Sequence, residues 1–247
     1  MVVPRSVVVT GGNRGIGLGF VKHFLDLNDV THVFATARDP DAATDLKTIS
    51  DPRLHIVKMD VQSDESIQEA EKKIASVVGD AGLHLLINNS GVLTQYDLDG
   101  APDRQAILSC LDVNVAGPLI VSQVFLPLLR KAAAVNSSFP VSIGRAAVVN
   151  ISSGAASIQD NRGGGMVVYR TSKTGLNSLT KAFSIHADKD HILCVAILPG
   201  YVVTRMTGEK GELTVEQSVA LMTTALNTFG QEQQGGFFGK DGKPFPY

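Results

Sequence analysis

The sequence predicts an α/β fold built on one doubly wound parallel sheet with helices on both faces. Short runs rich in β-branched residues alternate with longer helical stretches along the whole chain. Most of these short runs are almost continuously apolar, which is typical of parallel strands covered on both sides. A glycine-rich turn follows the first run, at the edge where such sheets bind ligands.

The predicted elements alternate through all 247 residues. Strands are expected at residues 6–10, 32–37, 54–60, 83–88, 146–152 and 192–198, and helices at residues 16–27, 63–78, 103–134, 169–187 and 214–229. Ser63 supplies a helix start, and Pro199-Gly200 ends a strand. The polar segment 136–144 and the glycines 163–165 are interpreted as surface loops, so residues 1–247 are expected to form a single domain.

The composition limits the classes of protein to which the chain can belong. Apolar residues make up 44% and charged residues 19%, as in globular proteins with a sizeable core. The net charge of −2 gives no electrostatic reason to expect a nucleic acid or an anionic membrane as partner. No uncharged apolar run approaches the about 18 residues of a membrane helix. Cys110 and Cys194 do not make a secreted disulfide framework, so the expected localisation is cytoplasmic.

The turn at residues 10–17 reads Thr-Gly-Gly-Asn-Arg-Gly-Ile-Gly. Glycines let the backbone turn tightly and approach a pyrophosphate at a helix N-terminus. The spacing differs from the commoner Gly-x-Gly-x-x-Gly, and a glycine-rich turn alone is a weak signal. Its place between the first strand and the first helix favours a dinucleotide site. The candidate binding residues are Gly11, Asn13, Arg14, Gly15, Ile16 and Gly17.

The end of the second strand indicates which dinucleotide would bind. Many dinucleotide-binding chains carry an acidic residue about 20 residues after the glycines, where it binds ribose hydroxyls. Here Ala37 occupies the strand end and Arg38 follows. The planar fork of arginine suits a 2′-phosphate, and Arg14 lies in the same region, so NADP(H) is favoured over NAD(H). Asp39 argues the other way, and two solvated surface arginines are the structural alternative.

Tyr169 and Lys173 are four residues apart on a predicted helix, so they lie on one face. The pKa of a free phenol is about 10, and a nearby ammonium is expected to lower it. Such a phenol could protonate a developing alkoxide. A pair of this kind also occurs by chance, and its significance depends on the glycine turn, on Ser152-Ser153 and on the Asn-Asn-Ser-Gly turn at residues 88–91.

Together these motifs resemble the short-chain dehydrogenase/reductase family, whose members have a Rossmann fold. The resemblance runs from about residue 7 to the C-terminus, with the motifs in the family's order. Residues 38–40 and 239–246 resemble the sniffer-type carbonyl reductases in particular. Further matching positions are Asp60, Val61, Asn89, Ser90, Gly91, Asn114, Ser153, Pro199, Gly200, Val202 and Thr204. Ser90 stands where the family usually has alanine.

The resemblance implies an NADPH-dependent reductase of a small-molecule aldehyde, ketone or quinone. The implied catalytic residues are Asn114, Ser153, Tyr169 and Lys173. Tyr169 would protonate the carbonyl oxygen, and Ser153 would polarise it. Lys173 would stabilise the phenolate and bind the nicotinamide ribose, and Asn114 would hold a water that links Lys173 to solvent. The remaining matched positions would bind NADPH, with Asp60 and Val61 at the adenine and residues 199–204 over the nicotinamide.

Other expectations concern the surroundings of this site. The polar segment 205–212 is interpreted as a mobile lid. The loop between Ser153 and Tyr169 is longer than is usual in the family, and Arg170 is expected to be exposed. The scattered histidines lack metal-ligand spacing, so no metal is expected. Members of the family often pair through the helices at residues 103–134 and 169–187, although monomers exist, so a homodimer stays open.

Two other functions remain compatible with the sequence. One is an NADP-linked hydroxysteroid or other alcohol dehydrogenase, which would use the same groups in the opposite direction. The other is a non-catalytic NADP(H)-binding regulatory protein. The complete set of four implied catalytic residues argues against the regulatory protein, and the two arginines argue against an NAD-linked oxidation. The sequence does not identify the substrate.

Overall fold

A parallel sheet of seven strands organises residues 3–247, the part of the chain that this computed structural model describes. The strands are β1 (Ser6–Val9), β2 (His32–Ala37), β3 (Leu54–Lys58), β4 (Leu85–Asn88), β5 (Ala147–Ile151), β6 (Leu193–Ile197) and β7 (Phe237–Phe238). Their order across the sheet is β3-β2-β1-β4-β5-β6-β7, and every neighbouring pair is parallel. The predicted fold class, a doubly wound sheet of the Rossmann type, is confirmed.

Within residues 3–247, seven α-helices connect the strands: α1 (Gly15–Leu25), α2 (Thr44–Lys47), α3 (Asp64–Val78), α4 (Arg104–Leu111), α5 (Gly117–Val135), α6 (Val167–Asp188) and α7 (Val215–Leu226). Apolar residues of α1 and α7 pack on one face of the sheet, and those of α3, α5 and α6 pack on the other. Within β1, Val7 and Val9 belong to the first core and Val8 to the second. Successive side chains point to opposite faces, which explains the continuously apolar strands.

The strand order reverses between β1 and β4, and a crevice opens at such a switch point. Hydrogen bonds hold the carboxyl ends of these two strands together. The backbone N–H groups of Asn89 and Ser90 both donate to Thr10 Oγ1 at 2.9 Å, and Asn89 Nδ2 donates to the Thr10 carbonyl at 2.9 Å. The turns that follow β1 and β4 therefore have fixed positions on either side of the crevice.

The structure differs from the predicted elements in several places. The long helix expected at residues 103–134 is divided into α4 and α5 by a π-helical turn, Asp112–Ala116. Such turns are rare and are often found at functional sites. The helix α2 and the strand β7 were not predicted, because four and two residues are too few for a periodic signal. The helix α6 begins at Val167, two residues before the predicted start.

The helical run Arg104–Val135 is long and apolar enough, by length and composition, to cross a membrane. Its apolar residues contact the core of the sheet: Val121, Phe125 and Leu129 are fully buried there. This packing accounts for the apolar composition of the run.

The residues after β7 form a tail segment, residues 239–247, that folds back along the sheet edge. Phe238 and Pro244 form an antiparallel bridge, and Phe245 N donates to the Phe237 carbonyl at 2.8 Å. The Tyr247 carbonyl accepts a hydrogen bond from Gln159 N at 3.0 Å. The tail segment therefore lies against the loop that follows β5.

Candidate active site

A cleft of about 900 Å³ runs along the carboxyl ends of the strands. Turns that follow β1 to β6 contribute to its walls, as the sheet topology requires. Fifteen of the predicted site residues line it: Gly11, Asn13, Arg14, Gly15, Ile16, Arg38, Asp60, Val61, Asn89, Ser90, Gly91, Tyr169, Lys173, Pro199 and Thr204. Sequence reasoning missed the wall residues Met59, Gln62, Val92 and Val113, which were assigned no role.

Five predicted residues lie outside this wall: Gly17, Asn114, Ser153, Gly200 and Val202. Gly17 is required by packing, because a Cβ there would overlap the Gly11 carbonyl oxygen. Gly200 has φ +84°, a left-handed conformation that favours glycine. Val202 is buried and forms a bridge with Leu213. These three residues shape the turns behind the cleft.

The glycine turn leaves the N-terminus of α1 accessible from the cleft. Gly11 and Gly15 have φ values of +63° and +53°, which glycine adopts without strain. The N-cap residue Arg14 makes no side-chain cap, and the first turn of α1 has no acidic residue. A Cβ at Gly11 would lie only 2.9 Å from Ser90 Oγ, so glycine keeps this part of the cleft open. The turn fits a pyrophosphate.

Two arginines lie at the end of the cleft formed by the turns after β1 and β2. Arg14 and Arg38 are both exposed and line the cleft, and neither makes an ion pair within residues 3–247. The carboxylate of Asp39 instead accepts backbone N–H groups of Asp41 and Ala42, at 2.9 and 3.3 Å. Asp39 therefore caps its own loop, and the positive charge nearby fits a phosphate group.

Tyr169 and Lys173 lie close together near the N-terminus of α6. The side chains are only 8% and 4% exposed, and Lys173 Nζ lies 6.0 Å from the centre of the phenol ring. Lys173 Nζ donates to the Ile151 carbonyl at 2.8 Å. The helix and the end of β5 thus fix both side chains at the cleft wall.

The pKa values of this pair are controlled by burial. Burial raises the pKa of Tyr169 above its ordinary value, and the hydrogen bond with Ser153 only partly opposes this rise. Burial also lowers the pKa of Lys173 to about 8. The prediction that the pKa of the phenol is lowered is wrong for this structure, because the cost of burying phenolate outweighs the contributions that favour it.

The two adjacent serines at the end of β5 have different environments. Ser152 is buried and donates to Asn177 Oδ1 at 2.7 Å, so its hydroxyl is directed to α6. Ser153 is half-buried, and its Oγ accepts the Ala155 N–H at 3.1 Å. Ser152 lines the cleft, but its hydroxyl is bonded to Asn177, whereas Ser153 lies outside the cleft wall and is close enough to the Tyr169 phenol to lower its pKa.

Asn114 is fully buried in the π-helical turn behind the cleft. Its Oδ1 accepts the Val92 N–H, and its Nδ2 donates to the Val92 carbonyl and to Ser172 Oγ, each at 2.9 Å. A Cβ at Gly91 would lie 3.3 Å from Asn114 Oδ1 and 3.5 Å from Lys173 Nζ. Asn114 and Lys173 therefore face the same small space beside Gly91.

The predicted lid, residues 205–212, is folded against its own base. Val203 N donates to the Leu213 carbonyl at 3.0 Å, and Thr207 Oγ1 donates to the Val202 carbonyl at 2.8 Å. Arg205, Met206 and Glu209 line the cleft. The lid thus contributes to the cleft wall, and its mobility stays a prediction.

Arg170 differs from expectation. It is partly buried rather than exposed, because its guanidinium donates to the carbonyls of Gly165 and Ala155, at 2.9 and 3.3 Å.

Residues 3–247 contain no group of three or more His, Cys, Asp and Glu side chains that could hold a metal ion.

A doubly wound sheet with a glycine turn at its switch point and a buried tyrosine–lysine pair on the cleft wall defines a dinucleotide-dependent oxidoreductase. The family model for short chain dehydrogenases matches residues 5–214. The chain belongs to this family and is an oxidoreductase that uses a nicotinamide dinucleotide.

Three comparisons illustrate the relationship. The chain is 37% identical to the carbonyl reductase Sniffer of D. melanogaster, with a TM-score of 0.96 over 99% of this chain and 100% of that one. It is 38% identical to an NADPH-bound carbonyl reductase from chicken fatty liver, with a TM-score of 0.94 over 100% and 96%. An uncharacterised oxidoreductase of Schizosaccharomyces pombe is 31% identical over 97% of this chain and 96% of its own length. The similarity to sniffer-type carbonyl reductases is confirmed.

Proposed function

We propose that the protein reduces the carbonyl group of an aldehyde, ketone or quinone with NADPH. The observation that carries this proposal is the pair Tyr169 and Lys173 on the wall of a cleft whose other end carries two arginines that make no ion pair within residues 3–247. Ser153 lies close to the Tyr169 phenol, just outside that wall. Reductases of this kind need a proton donor beside the carbonyl oxygen and a way to hold the cofactor.

The residues present fit NADPH. The glycine turn and the N-terminus of α1 would bind the pyrophosphate, and Arg14 and Arg38 would bind the 2′-phosphate. Asp60 and Val61 would contact the adenine. Asn89 to Gly91 would line the path to the nicotinamide, which Pro199 and Thr204 would cover. The NADPH named for the chicken reductase supports the choice of NADPH over NADH. When bound, NADPH supplies the hydride for the carbonyl carbon.

The side chains supply the proton and the electrostatic stabilisation. Because burial raises its pKa, Tyr169 holds its proton at neutral pH and can donate it to the carbonyl oxygen. Ser153 polarises the same oxygen by donating a hydrogen bond. Lys173, with a pKa of about 8, is mostly charged at neutral pH and stabilises the phenolate that the transfer leaves. Asn114 lies beside Lys173, where it positions the path by which a proton returns from solvent to Lys173. The two free, buried cysteines suit a reducing cytoplasm.

The test is NADPH oxidation by the purified protein with a panel of aldehydes, quinones, diketones and ketosteroids, with NADH in parallel. We expect turnover with NADPH and a loss of about 10³-fold or more in Tyr169→Phe, with NADPH affinity retained. Tyr201→Phe, at an exposed tyrosine outside the cleft wall, is the matched control. Tight NADPH binding without turnover of any carbonyl would contradict the proposal and favour a regulatory protein.

A further inference from the structure

The lid, residues 205–212, is flanked by two residues that pack against the first turns of α1. A Cβ added at Gly15 would lie 3.7 Å from Thr204 Cγ2, and a Cβ added at Gly19 would overlap Val215 Cγ1. Thr204 directly precedes the lid, and Val215 begins the helix that follows it. Both ends of the lid segment are therefore fixed beside the N-terminal part of α1, the helix that opens at the glycine turn.

This position of the lid requires the chain to cross the cleft. Thr204 follows β6, whereas Gly15 follows β1, and β4 and β5 lie between these two strands in the sheet. Thr207 Oγ1 accepts the Thr204 N–H at 3.1 Å and donates to the Val202 carbonyl at 2.8 Å, so the crossing segment has a defined shape. The base of the lid thus lies over the glycine turn, where the pyrophosphate of the cofactor would bind.

Arg205, the first residue of the lid, carries a free cation at this point. It is exposed and lines the cleft, and its guanidinium makes no ion pair or described hydrogen bond within residues 3–247. By contrast, the guanidinium groups of Arg145 and Arg170 donate to backbone carbonyls. Consecutive Cα atoms are about 3.8 Å apart, so the long side chain of Arg205 starts next to Thr204 and within reach of the glycine turn. A free guanidinium in a cleft fits an anionic ligand.

The charge of a bound pyrophosphate favours such a cation. The N-terminus of a helix is equivalent to only about half a positive charge, whereas each phosphate of a pyrophosphate is anionic. Arg14 and Arg38 lie at the end of the cleft assigned to the 2′-phosphate. Of the lid residues that line the cleft, Arg205 is the cation and Glu209 is the anion. Arg205 is therefore the lid residue that can neutralise the pyrophosphate.

We propose that Arg205 is a cofactor-binding residue, whose guanidinium donates to the pyrophosphate of NADPH and so holds the lid over the bound cofactor. The inference rests on the dinucleotide site of the proposed function and not on the carbonyl chemistry. The pyrophosphate is common to NADPH and NADH, so Arg205 should strengthen the binding of both. Arg38, by contrast, would face the 2′-phosphate that NADPH alone carries.

Equilibrium titration locates the contact. In Arg205→Gln we expect the Kd values for NADPH, NADH and ADP-ribose each to rise about tenfold, as the loss of a charge-assisted hydrogen bond predicts. ADP-ribose keeps the pyrophosphate and lacks the nicotinamide, so an equal loss for all three ligands places the contact at the pyrophosphate. Arg205→Lys should restore part of the affinity. A loss confined to NADPH, a loss confined to the two ligands that carry nicotinamide, or no loss at all would overturn the proposal.

Lys210→Gln is the matched control for the titration, because it removes the same charge from the lid at an exposed residue outside the cleft wall. We expect it to leave all three Kd values within twofold of the wild-type values. A loss equal to that in Arg205→Gln would show that affinity depends on the net charge of the lid and would overturn the proposed contact. Because Arg205 bonds no other side chain, Arg205→Gln should keep the wild-type Tm without cofactor.

Limited proteolysis tests whether the contact holds the lid. Trypsin can cut after Lys210, in the lid, and after Arg162, at an exposed position outside the cleft wall. With NADPH at concentrations that saturate each protein, cleavage after Lys210 should slow about tenfold in the wild type and much less in Arg205→Gln. Cleavage after Arg162 should not respond to NADPH and serves as the internal control. Equal protection of Lys210 in the two proteins would overturn the proposal.

The failure of this inference is distinguishable from the failure of the proposed function, because neither assay requires turnover. A protein that binds NADPH and reduces no carbonyl would overturn the reductase function, and the Kd values and cleavage rates would still decide the role of Arg205. A protein that reduces carbonyls, and whose Arg205→Gln variant binds NADPH and NADH as the wild type does, would overturn the role of Arg205 alone.

Discussion

Asn114 Nδ2 donates a 2.9 Å hydrogen bond to Ser172 Oγ, and this contact connects the π-helical turn to the helix that carries Tyr169 and Lys173. Ser172 is fully buried, and its own hydroxyl donates to the Tyr169 carbonyl at 2.7 Å. The sequence motifs single out the tyrosine and the lysine but not the serine between them. Its role becomes visible only in the hydrogen bonds that it makes with Asn114.

Ser172→Ala should therefore reduce turnover more than it weakens NADPH binding. The change leaves Asn114 Nδ2 with fewer acceptors in a buried space, which costs about 1–3 kcal/mol of stability and loosens the placement of Lys173. We expect kcat to fall about tenfold, with a matching fall in Tm. Ser178→Ala, at an exposed position of the same helix, is the control. A variant with wild-type kcat would show that the contact is not needed for the reaction.

The second prediction concerns Arg38 and the choice between NADPH and NADH. Arg38→Ala removes a charged donor from the end of the cleft that would hold the 2′-phosphate. We expect the Kd for NADPH to rise about tenfold or more, while the Kd for NADH, which lacks that phosphate, stays within twofold of the wild-type value. Fluorescence titration measures both constants. Arg104→Ala, at an exposed arginine outside the cleft wall, should change neither. Equal losses for the two cofactors would exclude phosphate recognition by Arg38.

Most of the fold prediction came from the pattern of apolar residues in the strands and from the residue types at the turns. Each of β1 to β6 is apolar on both faces, which is why the parallel sheet was evident from the sequence. The strand β7 was missed because its two residues follow glycines and are ordered by pairing with β6, for example Ala196 with Phe237. A contact between distant segments leaves no periodic signal in either one.

The sequence predicted those features of the candidate site that depend on residue type. It did not predict the features that depend on how deeply a side chain is buried. The glycine turn and the pair Tyr169 and Lys173 lie on the cleft wall as expected. The direction of the Tyr169 pKa was wrong because spacing along a helix does not report how deeply a phenol is buried. Arg170 was misjudged for a related reason, since its partners Gly165 and Ala155 are backbone carbonyls that any residue type could supply.

His84 makes the fold sensitive to acid. It is buried, with Nδ1 3.0 Å from Ser6 Oγ and Nε2 3.1 Å from Asn136 Nδ2. Ser6 Oγ donates to the Gly82 carbonyl, so the neutral ring that carries its proton on Nδ1 satisfies all of these contacts. A proton on Nε2 would face the amide donor of Asn136. Burial, with a smaller effect of Arg5, lowers the pKa of His84 to about 4.

The folded pKa of His84 is depressed, so its contribution to stability is complete above pH 6.5 and is lost as the pH falls from about 6.5 to about 4. This loss amounts to about 3 kcal/mol in the free energy of unfolding. Urea denaturation at pH 7 and pH 4.5 measures it. His84→Gln should flatten the difference between the two values, whereas His186→Gln, at an exposed histidine, should leave it as in the wild type. An unchanged pH dependence in His84→Gln would assign the acid sensitivity to other groups.

The lowered pKa of Lys173 predicts the pH above which the rate of the reaction should fall. Because burial lowers its pKa to about 8, Lys173 carries its charge below that pH and loses it above. Burial raises the pKa of Tyr169, so the phenol keeps its proton through the same range and does not cause the loss. The rate of carbonyl reduction should therefore be constant below about pH 8 and fall about tenfold per pH unit above it. A profile of kcat/KM against pH tests this, with Lys181→Met, at an exposed lysine of α6, as the control. A rate that falls only above the ordinary lysine pKa of 10.5 would show that Lys173 is not the titrating group.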